Sequence, residues 1–340
     1  MKTIVITGGA GFIGSNFVRH FIENQPHKVV ILDKLTYAGN INNINDITHV
    51  PEKLLLVEGD ICDADTVGNV LRGFAPYAII HFAAESHVDK SIESATNFIQ
   101  TNIIGTSTLL DETRKYLITA SDEIQENFKF IHVSTDEVYG SLESKDAPFT
   151  ETSQYQPNSP YAASKAASDH LARAWYKTFN VPTIITNCSN NYGPRQHQEK
   201  LIPMVINNAL SGKLIPIYGD GMQMRDWLHV DDHCKALMKI LTDGVIGETY
   251  NIGGLNDIAN IAVVKMVCDI LDKLKPKLGD KSYSKQIEFV KDRAGHDRRY
   301  AIDATKLMTE LNWKPEETFE TGIQKTVEWY VKRIDTTFIE

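Results

Sequence analysis

The sequence predicts an α/β protein, a doubly wound parallel sheet with helices on both faces joined to a smaller C-terminal α/β lobe. Three observations predict it. Short continuous apolar runs alternate with helix-length periodic segments, as strands buried on both faces and their crossover helices do. The first run ends in glycines spaced three apart, Gly8, Gly11 and Gly14, and passes straight into a helical pattern. After about residue 190 the alternation loosens, and Pro and Gly become frequent from 193 to 221. We therefore expect a first domain over 1–190 and a second lobe mainly over 191–340, with some later segments returning to the sheet. A chain of 340 residues, 42% hydrophobic and 23% charged, suits a globular protein with one large or two coupled cores.

Residues 2–7 (KTIVIT) read as the first strand, and a helix is expected from about 11 to 24. KVVILD at 28–33 is the second strand and LLLV at 54–57 the third. AIIHFA at 78–83, KFIHVS at 129–134 and TIITN at 183–187 continue the set. The most prominent helical patterns between them are 96–116 and 161–179, which predicts right-handed crossovers and a parallel order. No repeat period is present, which excludes a solenoid.

The net charge of −9 leaves no broad basic face, which argues against nucleic acid as a partner. A few local Arg and Lys residues still suit a small anionic ligand. Cys62, Cys188, Cys234 and Cys268 are far apart and form no C-x-x-C, so they read as reduced thiols of a cytoplasmic protein, and no metal is expected. The chain enters its first strand at once, with no export leader expected, and no apolar run approaches a membrane span.

Glycines at 8, 11 and 14 permit a tight turn, a close backbone approach to a pyrophosphate, and close packing of helix on sheet. Asp33 ends the second strand 19 residues after Gly14. A carboxylate there bonds ribose hydroxyls and repels a 2′-phosphate, so a Rossmann-type NAD site is expected rather than an NADP site. Asp60-Ile61, after the third strand, would flank the adenine. Tyr161 and Lys165 are one helical turn apart and share a face, with Ser159-Pro160 opening their helix. Tyrosine is a poor base at its ordinary pKa of about 10, and a neighbouring ammonium and an oxidised nicotinamide would lower it. The adjacent carboxyls Asp136 and Glu137 follow Thr135 at the end of the fifth run. Like charges so close are pushed to different pKa values, which suits one acid and one base.

Over nearly its whole length the chain resembles the extended short-chain dehydrogenases/reductases, and among them the nucleotide-sugar 4,6-dehydratases of the dTDP-glucose type. The resemblance rests on TGGAGFIGS (7–15), LDKLTYAGN (32–40), HFAAESHVDKSI (81–92), VSTDEVYG (133–140), SPYAASKAASDHL (159–171), NCSNNYGP (187–194), MRDWLHVDDH (224–233), YNIGG (250–254) and RAGHDRRYAID (293–303). Thr135-Asp136-Glu137 discriminates, since sugar epimerases of the superfamily usually carry small residues there.

The resemblance implies loss of water from a nucleotide sugar in deoxysugar (rhamnose-type) biosynthesis. Tyr161 takes the 4-hydroxyl proton while hydride passes to NAD, Thr135 bonds the same oxygen, and Lys165 holds the nicotinamide ribose. Glu137 removes the C5 hydrogen, Asp136 protonates the departing 6-hydroxyl, and the hydride returns to C6. It further implies NAD contacts from Gly8, Gly11, Phe12, Ile13 and Gly14, then from Asp33, Lys34, Thr36, Asp60 and Ile61. Ala83, Ala84, Ser86, Thr101 and Asn191 complete that set, with Tyr161 and Lys165. Substrate contacts are implied for Ser86, Thr135, Asn190, Lys200 and Leu201, and for Arg225, Asn260, Arg293 and His296, with Glu85 beside them. His87 reads as structural rather than as a metal ligand. A homodimer through the helices at 96–116 and 161–179 is implied as well.

The chain departs from the family pattern at Arg195-Gln196-His197-Gln198, where Tyr-Gln-x-Pro is common, and at Ala294, where Pro is usual. The first loop is expected near the substrate, which leaves UDP-glucose, or another nucleotide sugar, open beside dTDP-glucose. A nucleotide-sugar 4-epimerase is the other alternative, and it would leave Asp136 and Glu137 without roles.

Overall fold

The structure, a computed structural model, describes residues 2–47, 52–279 and 281–337. The six expected runs all form strands: β1 (Thr3–Thr7), β2 (Lys28–Asp33), β3 (Leu54–Glu58), β4 (Ala78–His81), β5 (Lys129–Thr135) and β6 (Thr183–Cys188). Seven more follow: β7 (Asn190–Tyr192), β8 (Ile215–Tyr218), β9 (Met224–His229), β10 (Thr249–Ile252), β11 (Asp257–Ala259), β12 (Ile287–Val290) and β13 (Arg299–Tyr300). The main sheet has the order β10-β6-β5-β4-β1-β2-β3 and every pairing in it is parallel. The order reverses between β1 and β4, so their carboxyl ends part and leave a crevice there.

The continuous apolar runs are explained by burial on both faces of the sheet. Ile4 and Ile6 point to the layer of Phe17, Phe21 and Leu237, whereas Val5 faces Ile79, Leu109 and Phe130. Phe17 and Phe21 are fully buried and one turn apart on the helix Phe12–Asn24, and burying each side chain contributes roughly 1.5–3 kcal/mol. The helix Val230–Asp243 shares that layer through Cys234, Leu237 and Ile240. With β10, which pairs Thr249 with Ile185, it is a late segment that returns to the first sheet.

The helix expected at 96–116 is less regular than its periodicity suggests. It runs as Thr96–Phe98, a π-helical stretch Ile99–Gly105, and Thr106–Thr119. The helix expected at 161–179 spans Pro160–Phe179, capped by the Ser159 hydroxyl, which accepts from the Ala162 amide at 3.1 Å. A second core collects Ile202, Val205 and Ile206 with Val263, Val267, Phe319 and Ile323. Two small sheets flank it, β12 with β8, and β9 with β7, β11 and β13.

Candidate active site

A cleft of about 510 Å³ opens over the carboxyl ends of the parallel strands. Its floor is the glycine turn after β1. Gly8 has φ +70, and a Cβ there would come within 2.6 Å of the Ala83 nitrogen. A Cβ on Gly14 would lie 2.2 Å from the Gly8 carbonyl oxygen. Gly11 is the N-cap of the helix Phe12–Asn24, and no side chain caps that end. A Cβ on Gly11 would meet only the carbonyl oxygens of Gly8 and Ala38 within 4 Å; otherwise it would take up cleft space. An uncapped helix N-terminus over bare backbone fits a pyrophosphate. Gly14→Ala is therefore expected to yield protein without bound dinucleotide, checked by absorbance of the cofactor released on denaturation.

At one end of the cleft Asp33 accepts from the Ala10 and Leu35 amides, each at 2.9 Å. Burial pushes its carboxyl up while those two amides oppose the shift. Lys34 pairs with Asp60 at 2.6 Å, and Thr36 and Ile61 line the same end. Ala83, Ala84, Ser86 and Thr101 line the wall, together with Asn191. Asn102 in the π-helical stretch accepts from the Glu85 amide at 2.8 Å and donates to the Glu85 carbonyl at 3.0 Å. The same Asn102 nitrogen donates to the Ser164 hydroxyl at 2.8 Å, tying the loop after β4 to the helix of Tyr161.

At the other end stand Thr135, Asp136, Glu137, Tyr161 and Lys165, all lining the cleft. Thr135 ends β5 and caps the turn Asp136–Tyr139, its hydroxyl accepting from the Glu137 amide at 3.3 Å. The hydroxyl also lies 3.4 Å from Asp136 Oδ1 and is hydrogen-bonded to Tyr161. Lys165 Nζ donates to the Val133 carbonyl at 2.9 Å. Asp136 is 2% exposed, and its Oδ2 has no hydrogen-bond partner among the described residues. Burial pushes the Asp136 carboxyl well above the aspartate range, and the charges of Glu137 and Asp226 add to that. Burial also raises Glu137, but Arg293, Arg225 and Lys200 pull it back toward the charged form. The pair is thus electrostatically unequal, with Asp136 the more readily protonated.

One expectation is reversed in the protein alone. The Tyr161 hydroxyl is pushed well above 10 by burial and by Glu137, with only the Thr135 hydrogen bond opposing. Burial meanwhile lowers Lys165. Desolvation outweighs the ammonium here because both groups are buried in the wall of the cleft.

Of the expected substrate contacts, Ser86, Asn190 and Lys200 line this cleft, and Lys200 donates to the Ser86 carbonyl at 3.1 Å. Leu201, Arg225, Asn260, Arg293 and His296 are not among its lining residues. Leu201 and Asn260 open the helices Leu201–Leu210 and Asn260–Leu274. Arg225 stacks 4.2 Å over Tyr300 and donates to the Asp297 carbonyl at 3.0 Å. Arg293 pairs with Asp89 at 3.2 Å and keeps a buried Nε without a partner among the described residues. His296 bonds Asp292 at 2.6 Å. His87 caps the helix Val88–Glu93 and stands 3.2 Å from Glu199.

The departing loop is anchored differently from expectation at its first residue. Arg195 donates to Asn16 at 3.0 Å, on the first helix, and its guanidinium lies 5.6 Å from the Trp329 ring. Gln196 and His197 do line the cleft. The sequence reading missed Asn97 and Gln100, which also line it. Their spacing to Thr101, four residues and one, puts Asn97 and Thr101 on one helical face and was a signal to follow. Cys188 and Ser189, at the end of β6 and just beyond it, also line the cleft; both lie in the NCSNNYGP motif, but the sequence reading gives them no role from it.

The family model for GDP-mannose 4,6 dehydratase matches residues 5–326. The chain is 54% identical to a dTDP-glucose 4,6-dehydratase of Shigella flexneri, covering 99% of this chain and 94% of that protein. Among solved structures, it resembles a dTDP-glucose 4,6-dehydratase from Bacillus anthracis in complex with NAD, at 46% identity and TM-score 0.86, covering 98% of each chain. It likewise resembles one from Streptomyces venezuelae with NAD bound, at 43% identity and TM-score 0.89, again over 98% of each.

Proposed function

The chain belongs to the dTDP-glucose 4,6-dehydratase family, and from that premise we infer that it is an NAD-dependent hydro-lyase converting dTDP-glucose to dTDP-4-keto-6-deoxyglucose. The alternatives, a UDP-sugar substrate or an epimerase, are not favoured by relatives at this identity. The observation that carries the reading is the unequal carboxyl pair facing Tyr161 at the end of β5.

Bound NAD supplies a hydride acceptor and donor and, when oxidised, a positive charge. We assign its pyrophosphate to the turn Gly8–Gly14, its adenosine end to Asp33, Lys34, Thr36, Asp60 and Ile61, and its nicotinamide end to Lys165 and Asn191. With oxidised NAD bound, its positive charge beside Lys165 would draw Tyr161 toward phenolate, which would accept the proton of the sugar 4-hydroxyl as a hydride leaves C4, and Thr135 would donate to that oxygen. The 4-keto group acidifies C5, and Glu137, steered toward its charged form by three cations, removes that proton. Asp136, kept neutral by burial, donates a proton to the departing 6-hydroxyl. With the reduced cofactor in place a hydride would be delivered to C6, and Glu137 would give its proton back to C5. In sum the O4 proton and the C6 hydroxyl leave as water, so the Tyr161 proton restores Asp136 over the cycle. Lys200 lines the cleft, and Arg225 and Arg293 act with it on Glu137; the three supply the positive charge a nucleotide diphosphate needs, and an Arg side chain can contact phosphate bidentately.

Purified protein incubated separately with dTDP-glucose and UDP-glucose is expected to form the 4-keto-6-deoxy sugar from the first. Product from UDP-glucose alone, or a C4 epimer, would overturn the reading.

We assign residues 1–190 to the cofactor domain, joined by β10 and the helix Val230–Asp243, and the rest of 191–340 to the substrate lobe. We also propose a cytoplasmic homodimer. Ile99, Ile104 and Phe179 are half exposed on or at the ends of the two long helical segments, and a second copy would cover them. A hydrodynamic mass of two chains at micromolar concentration is expected; a mass of one chain would count against the dimer.

A further inference from the structure

A buried polar cluster lies beneath the catalytic residues and takes no part in the steps of the reaction. Asp169 sits one turn past Lys165 and two past Tyr161 on the helix Pro160–Phe179, and is 2% exposed. Its Oδ2 accepts hydrogen bonds from the Tyr155 hydroxyl at 2.9 Å and from Asn187 Nδ2 at 3.0 Å. Its Oδ1 lies 3.1 Å from Nε2 of buried His132. Asn187, fully buried on β6, donates from the same nitrogen to the Thr135 carbonyl at 3.2 Å. One carboxylate, carried on the helix of Tyr161 and Lys165, thus reaches the strand end of Thr135, Asp136 and Glu137 through a single amide.

The charges around Lys165 single out the same residue. Burial works against the ammonium, and Asp169 is the foremost charge that favours it. His132 and His81, with rings 5.3 Å apart, are kept neutral chiefly by burial and add no competing cation. Burial holds Tyr155 and Tyr139 as phenols, and it pushes the Cys188 thiol up to about 12. Lys165 stands one helical turn before Asp169 with its Nζ on the Val133 carbonyl, outside direct ion-pair contact with the carboxylate, so the two act on each other across the buried interior.

We propose that Asp169 is a positioning residue for the dehydration: it places a buried carboxylate one helical turn from Lys165 and, through Asn187, fixes the strand end that bears the acid–base pair. This rests on the reading of Tyr161 and Lys165 given under the proposed function. Without the carboxylate, burial strips the Lys165 proton at lower pH, so the alkaline side of the rate profile moves down.

The test is kcat and KM against pH for the NAD-loaded full-length protein, for Asp169→Asn and Asn187→Ser. Asp169→Asn is expected to lower kcat, to leave KM for the nucleotide sugar near the parental value, and to shift the alkaline limb of kcat downward by about one pH unit or more. Asn187→Ser keeps the carboxylate, so kcat is expected to fall with the limb in place. An Asp169→Asn profile with an unmoved limb, even with reduced kcat, overturns the proposal, because a merely structural role would give that result. Parental kcat in Asn187→Ser removes the tether. Should circular dichroism show Asp169→Asn to be unfolded, the Asn187→Ser result decides. If the parent protein forms no 4-keto-6-deoxy product, the proposed function fails first and the role of Asp169 falls with it; a parent that does form product isolates the failure to Asp169.

Discussion

Tyr161→Phe is expected to lose the first oxidation, with turnover reduced by about 10²–10⁴-fold, the usual worth of a positioned acid–base group. The substitution removes one oxygen and keeps the ring, which packs edge-on against Phe98 at 6.4 Å. Fold and dinucleotide content should therefore persist. The hydroxyl lost is the one bonded to Thr135 and raised by burial and Glu137, and no other phenol lines the cleft among the described residues. The readout is formation of the 4-keto sugar, together with the NAD content of the purified variant. Product formation near the parental rate would show that Tyr161 is not the base.

Glu137→Gln and Asp136→Asn are expected to stall after the oxidation, each by a similar 10²–10⁴-fold in product formation. The two differ in an earlier observable. Exchange of the C5 hydrogen with deuterated solvent should vanish in Glu137→Gln, because no carboxylate is left to remove it, and should survive in Asp136→Asn. Exchange at the parental rate in Glu137→Gln would exclude Glu137 as the C5 base. Stability supplies a second contrast. The Asp136 carboxyl is raised well above its ordinary value by burial, so the native state binds its proton more tightly than the unfolded chain does. Stability then falls as pH rises from about 4 toward the native pKa. Asp136→Asn carries no such burden, so its melting temperature should gain on the parent as pH rises through that window. Parallel melting curves at every pH would contradict the burial argument.

The asymmetry between these carboxyls shows where sequence reading stops. Adjacent Asp136 and Glu137 say that two like charges must share a site, and the assignment of acid and base came with the resemblance. The direction of the inequality is tertiary. Arg225 on β9, Lys200 ahead of the helix Leu201–Leu210, and Arg293 near the C-terminal end all bear on Glu137, and nothing in their spacing along the chain says that they converge. The same holds for Tyr161, whose partner lysine is legible at i+4 while the desolvation that overrides it is not. Asn187, Asp169 and Tyr155 each read as ordinary polar positions, and only packing puts them on one carboxylate beneath the site.

By itself the sequence determined the parallel sheet, since strands buried on both faces must be continuously apolar and each must be followed by a crossover. It determined the glycine turn as well, because a backbone that approaches Ala83 as closely as Gly8 does has no room for a Cβ. Both are local requirements, met by neighbouring residues. The tertiary structure alone decided that β10 and the helix Val230–Asp243 complete the first domain's layers, because a strand of four residues carries too short a pattern to show its partner. It alone decided that Arg195 turns to Asn16 and the first helix. It alone set which carboxyl is the more readily protonated, because burial and long-range charge depend on where distant segments finally pack.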